Sequence, residues 1–227
     1  MNWKNETQKR VLSICNLQYG QFDGVGKYDI PYIEPLYDLP KINKWIGFNQ
    51  VLSDTNPKDK AVHFFIDDYQ FERIWANPNK YIPKLRQYAL VATPDFSIYG
   101  DMPLALQIYN CYRKQWIGRY FQLNGINIIP TVRCSTDVRS YDFFLDGIPK
   151  NSIILMSSMW AKKYPLEARQ EYETVKDVLN PSLIIVYGNG KHMGIKENDN
   201  VMFVKNFSSE RLKVIKNGTK PKVVRLD

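Results

Sequence analysis

Short β-rich apolar runs recur along this chain, and each ends in a polar or charged residue where the next loop begins. Val62–Ile66 leads into Asp67 and Asp68, Tyr88–Ala92 into Thr93-Pro94-Asp95, and Ile126–Val132 into Arg133. Phe143–Leu145 leads into Asp146, Ile153–Met156 into Ser157, and Leu183–Val186 into Tyr187. Helical spacing separates several of these runs. Leu104, Ile108, Cys111, Tyr112 and Trp116 make one apolar stripe, and Ala168, Tyr172, Val175 and Leu179 make another. Strands alternating with helices predict a parallel sheet with helical crossovers. In such a sheet every strand ends on the same rim, where ligands bind.

The punctuation agrees with this reading. Asp101 and Pro103 open the first long helix, whose Gln107, Asn110, Arg113 and Lys114 point away from the apolar stripe. Pro165 opens the second, and Asn180-Pro181 ends it. Pro130 interrupts Ile126–Val132 and predicts a bulge or an early strand end, because proline has no N–H for the ladder. Val201–Val204 is a further strand, with Val223–Leu226 a weaker candidate. Polar residues on nearly every strand end favour a closed barrel, but the helices are too few and short for an eightfold repeat. The expected fold is therefore α/β, an irregular or incomplete (β/α) barrel-like parallel sheet. Residues 1–60 form an extended N-terminal segment, in which the prolines of Tyr28–Pro40 suggest a belt laid across residues 61–227, an α/β domain with a basic end.

Net charge is +8 among 227 residues, and from Lys205 onward seven Lys and Arg face two acids. Lys213, Lys216, Lys220 and Lys222 are thus candidates for contacting nucleic-acid phosphates, or for a solvated end that aids solubility. Cys15, Cys111 and Cys134 have no paired spacing, which argues against a disulfide scaffold or zinc ribbon. His63 and His192 are the only histidines, which argues against a histidine metal centre and against a Ser-His-Asp triad. With neither a signal-peptide core nor a membrane-length apolar stretch, a cytoplasmic setting without membrane partners is expected.

The rim residues carry the chemistry. Asp67, Asp95 and Asp146 are the candidate catalytic carboxylates, able to divide acid and base roles or to hold magnesium through oxygen ligands. Arg133 is the candidate anion holder, since its planar fork suits phosphate or carboxylate; an ion pair with a neighbouring Asp is the competing account. Asp68, Tyr187 and Ser157 are further candidate ligand contacts. Gly188-Asn189-Gly190-Lys191 lacks the spacing of a phosphate-binding P-loop. Cys134, beside Arg133, reads as an inert half-buried thiol.

Several of these segments together resemble a known family. Phe64–Trp75 (FFIDDYQFERIW), Thr93–Ser97 (TPDFS), Asp101–Pro103 (DMP), Ile129–Arg133 (IPTVR), Phe144–Pro149 (FLDGIP) and Ile184–Gly188 (IIVYG) are similar to the domain-of-unknown-function 4417 family of bacteriophages and mobile elements. The resemblance spans roughly residues 20–190 and implies a phage or mobile-element setting. It brings no activity with it, although its motif positions coincide with the rim residues. The leading expectation is a protein binding a phosphate-bearing ligand, nucleotide or nucleic acid, at the rim, with phosphoester hydrolysis as its chemistry. The alternatives are a non-enzymatic factor engaging a host protein or DNA, and a carbohydrate-processing hydrolase resting on paired carboxylates and 15 Tyr.

Overall fold

In the computed structural model, residues 6–198 and 200–205 are described. The elements in order are α1 (Glu6–Ser13), β1 (Gly24–Val25), β2 (Ile30–Pro31), β3 (Lys44–Gly47), β4 (Lys60–His63), α2 (Arg73–Ala76), α3 (Ile82–Leu85) and β5 (Leu90–Ala92). They continue with α4 (Leu104–Leu123), β6 (Ile128–Ile129), β7 (Thr131–Val132), β8 (Ile153–Ser157), α5 (Pro165–Leu179), β9 (Leu183–Tyr187) and β10 (Val201–Val204).

Two parallel four-stranded sheets result, ordered β3-β4-β5-β6 and β10-β9-β8-β7. They meet at Pro130, which separates β6 from β7 within one extended stretch. With no N–H at that position the ladder stops. The neighbouring residues restore contact: the Thr131 N–H donates to Thr93 Oγ1 (2.8 Å), the Thr131 hydroxyl donates to Thr93 O (3.0 Å), and Leu155 N–H donates to Pro130 O (2.9 Å). The sheets also face one another, because His63 of β4 packs on Tyr187 of β9 with ring centroids 4.3 Å apart. Among the described residues β3 and β10 make no ladder. A groove of about 380 Å³, with Trp45 on one side and Met202 on the other, lies where a barrel would close. The architecture is therefore irregular α/β, and among the described residues the sheets form no closed barrel.

Side-chain alternation positions the layers. Ile153, Leu155, Ile185 and Tyr187 point into the core shared with β4 and β5, whereas Ile154, Met156, Ile184 and Val186 pack under α5 with Ala168, Val175 and Leu179. The N-terminal segment crosses α4. Ile33 donates its N–H to Gly147 O, Trp116 Nε1 donates to Gly20 O, and Gln122 exchanges hydrogen bonds with the Glu34 backbone. Gly118 permits the close approach: a Cβ there would lie 2.6 Å from Ile33 Cδ1 and 2.7 Å from Thr93 Cγ2.

Some expectations are corrected. Phe143–Leu145 is not a strand but a turn after a short 3-10 segment (Val138–Asp142), because Gly147, with φ near 75°, turns the chain under Pro31. On α4 the polar residues do not face solvent. Gln107, Asn110, Arg113 and Lys114 are buried because they turn toward the loops that follow the strands: Gln107 bonds with Met102 and Ser135, Asn110 with Ser97, and Arg113 pairs with Glu72 over the Phe96 ring. Val223–Leu226 and the tail lysines Lys213, Lys216, Lys220 and Lys222 lie outside the described residues.

Candidate functional site

A cleft opens at the C-terminal ends of β4, β5, β7 and β8. Its first lobe, about 300 Å³, is lined by Asp67, Asp95, Phe96, Arg133, Ser157 and Trp160, among others. A second lobe, about 550 Å³, continues from it past Arg133 toward Thr136, Lys163 and Tyr164. Both volumes lie in the range of pockets that take small ligands.

Arg133 stands at the junction. Its guanidinium lies over the Trp160 ring at 4.3 Å, a contact that fixes its orientation while leaving its N–H groups for other partners. Among the described residues no carboxylate lies within ion-pair distance of it. The competing account of Arg133, a structural ion pair, therefore lacks a partner here. Two acids nonetheless sense its charge. Asp95 shows part of its surface to the cleft, while its Oδ1 is sealed and lacks a hydrogen-bond partner. Burial pushes its carboxyl above the usual range, against the pull of Arg133 and of Lys114 from α4. Glu171, fully buried on α5, accepts the Cys134 backbone N–H through Oε1 and leaves Oε2 unpartnered. Burial raises it to about 7, again opposed by Arg133.

The remaining candidates occupy distinct places. Asp67 is exposed at the wall of the first lobe, and Ser157 is buried in it, its Oγ accepting Met159 N–H at 3.3 Å. Asp68 ties two loops together by accepting the Ser97 N–H (3.0 Å) and hydroxyl (2.8 Å). Tyr187 is buried at the sheet interface, packed against both His63 and Phe65, which also stack on each other. Neither Asp68 nor Tyr187 lines either lobe, and Asp146 does not join Asp67, Asp95, Arg133 and Ser157 there. Its carboxyl packs against Gly26 in the turn between the antiparallel pair β1 and β2, with Oδ2 sealed. The reason is the turn at Gly147, which folds this loop under the belt instead of ending a strand at the rim. Asp67 and Asp146, candidates for dividing acid and base roles or for holding magnesium together, thus have no common cavity. Among the described residues no three His, Cys, Asp or Glu side chains cluster to hold a metal ion. Cys134 is buried, and desolvation pushes its thiol well up, which suits an inert residue.

Glu171 and Lys114 line neither lobe but bear on the charges of the cleft, Glu171 through Arg133 and Lys114 through Asp95; neither was marked for this by sequence, although a signal for Glu171 exists. It lies three residues after Ala168 and four before Val175, so a carboxylate sits on an otherwise apolar stripe.

The comparisons with known proteins bear on identity. The family model "Domain of unknown function (DUF4417)" matches residues 22–207. The chain belongs to this family. It is 32% identical over 189 residues to the Gene 1 protein of Mycobacterium phage L5, covering 82% of each chain. It is also 32% identical over 186 residues to the Gene 1 protein of Mycobacterium phage D29, covering 80% of this chain and 68% of the relative. No solved structure matches it. Every rim residue discussed above lies inside the matched span. Among the described residues no helix is long and apolar enough to cross a membrane.

Proposed function

We propose that this family member binds a phosphate-bearing ligand of nucleotide size in the rim cleft, with Arg133 holding the phosphate. The observation that carries the reading is Arg133 itself: a guanidinium at the meeting point of two lobes, oriented by Trp160 and without an ion-pair partner among the described residues. A planar fork in that state is arranged for a tetrahedral oxyanion. The aromatic walls, Tyr99 and Trp160, suit a planar base or the apolar face of a sugar. Titration calorimetry with the four common nucleoside 5′-monophosphates and inorganic phosphate tests the idea. Binding of at least one nucleotide, weakened at least tenfold by Arg133→Ala with an unchanged melting temperature, is the expected result. Equal affinity in the variant contradicts it.

A second reading, hydrolysis of a phosphoester, is favoured by Asp95 specifically. A carboxyl held above its ordinary range beside a guanidinium can keep a proton until a leaving oxygen needs it. Water attacks phosphorus, the P–O bond to the leaving group breaks, and Asp95 protonates that oxygen. Asp67, exposed on the same wall, accepts the proton from water. Asp95→Asn then abolishes turnover while preserving nucleotide affinity, and loss of both in a well-folded variant contradicts the assignment.

A further inference from the structure

The two lobes are separate volumes that share one wall, and Arg133 belongs to it. Ile98, Tyr99, Arg133, Met159 and Trp160 line both, so a molecule filling the whole cleft must pass across the guanidinium. Each lobe has its own far wall. The first ends on the half-buried Phe65, with Asp67 at its edge, and the second on Tyr164, with Lys163 and Asp101 nearby. An anion placed at Arg133 therefore has room for a substituent on either side, with an aromatic surface in each direction.

We infer that the cleft takes two nucleosides joined by a single phosphodiester, the link on Arg133 and one nucleoside in each lobe. This rests on the phosphate-binding reading above and narrows its substrate class. A phosphomonoester fills one lobe and leaves the other to solvent. A pyrophosphate link brings two charges to a junction with one guanidinium. A phosphodiester brings one charge and two ring-bearing arms, which matches the junction and its flanks. Aromatic walls accept bases by stacking with little regard to base identity, so selectivity for the linkage is expected to exceed selectivity for sequence.

The test uses dinucleoside monophosphates, ApA and dTpdT, whose only phosphate is the link, against AMP and dTMP by calorimetry at one salt concentration. The inference predicts at least tenfold tighter binding of the dinucleosides. It also predicts that Thr136→Trp, which fills the second lobe, brings the two ligand types within threefold of each other. Dinucleosides binding no tighter than mononucleotides overturn the inference while leaving the phosphate-binding reading intact. A preference that persists in a folded Thr136→Trp protein also overturns it. Failure of every nucleotide to bind removes the underlying reading instead. An eight-residue oligothymidylate distinguishes the source of the diester. Affinity rising with length identifies a strand, and affinity equal to that of dTpdT identifies a free dinucleotide; either supports the two-lobe assignment.

Discussion

At the residue scale, the site is defined by charges kept close without being neutralised in pairs. Glu171 shows the cost. Its pKa of about 7 in the folded protein, against an ordinary 4.5, means that the folded state holds a proton the unfolded chain has released between those values. Stability from this group is therefore fully present below about pH 4.5, falls as pH rises to 7, and is then constant, a change of about 3 kcal/mol. Glu171→Gln keeps the acceptor for the Cys134 N–H and removes the titration. Urea denaturation at several pH values should show the variant gaining on the parent protein between pH 4.5 and 7, whereas a constant offset contradicts the assignment. His63 acts with the opposite sign. Burial holds its imidazole at about 3, and its Nδ1 accepts the Phe65 N–H, so stability is lost as pH falls from 6.5. Because His63 is common to both proteins, its contribution cancels in the difference.

At the element scale, α4 and the stretch around Pro130 determine where the rim residues stand. Gly118→Ala sets two effects against each other. The helix gains about 1 kcal/mol of propensity, but the new Cβ meets Ile33 and Thr93 at distances that force repacking, typically about 1–3 kcal/mol. The balance should be a loss of stability in urea; a gain shows that belt and strand are not held as described. Much of this was legible beforehand. Pro130 announced the break between β6 and β7, Pro165 marked the start of α5, and β8 and β9 fell on their apolar runs. Local pattern failed where long-range contacts decide. Phe143–Leu145 has strand composition, yet Gly147 turns it beneath Pro31, and Asp146 leaves the rim with it. The polar face of α4 could not be placed from sequence, because nothing local says that the loops carrying Glu72, Ser97 and Ser135 will cover it. Asp67, Asp95, Arg133 and Ser157 were readable because strand ends in a parallel sheet share a rim, while Glu171 arrives from a helix.

At the scale of the whole molecule, two parallel sheets joined at Pro130 form an open arrangement, with edges β3 and β10 unpaired with each other among the described residues. Hydrogen exchange should register the difference. Amides of β8, paired on both sides, are expected to exchange more slowly than those of β3, paired on one, and the reverse order contradicts the topology. The same arrangement gathers four strand ends around one cleft, and the functional account depends on that cleft holding a phosphate. A crystal structure of the protein with a bound nucleoside monophosphate tests this most directly. The account predicts phosphate oxygens within hydrogen-bond distance of the Arg133 guanidinium, with the base against one of the aromatic walls. A nucleotide bound elsewhere on the molecule, with Arg133 still facing an empty cleft, contradicts it.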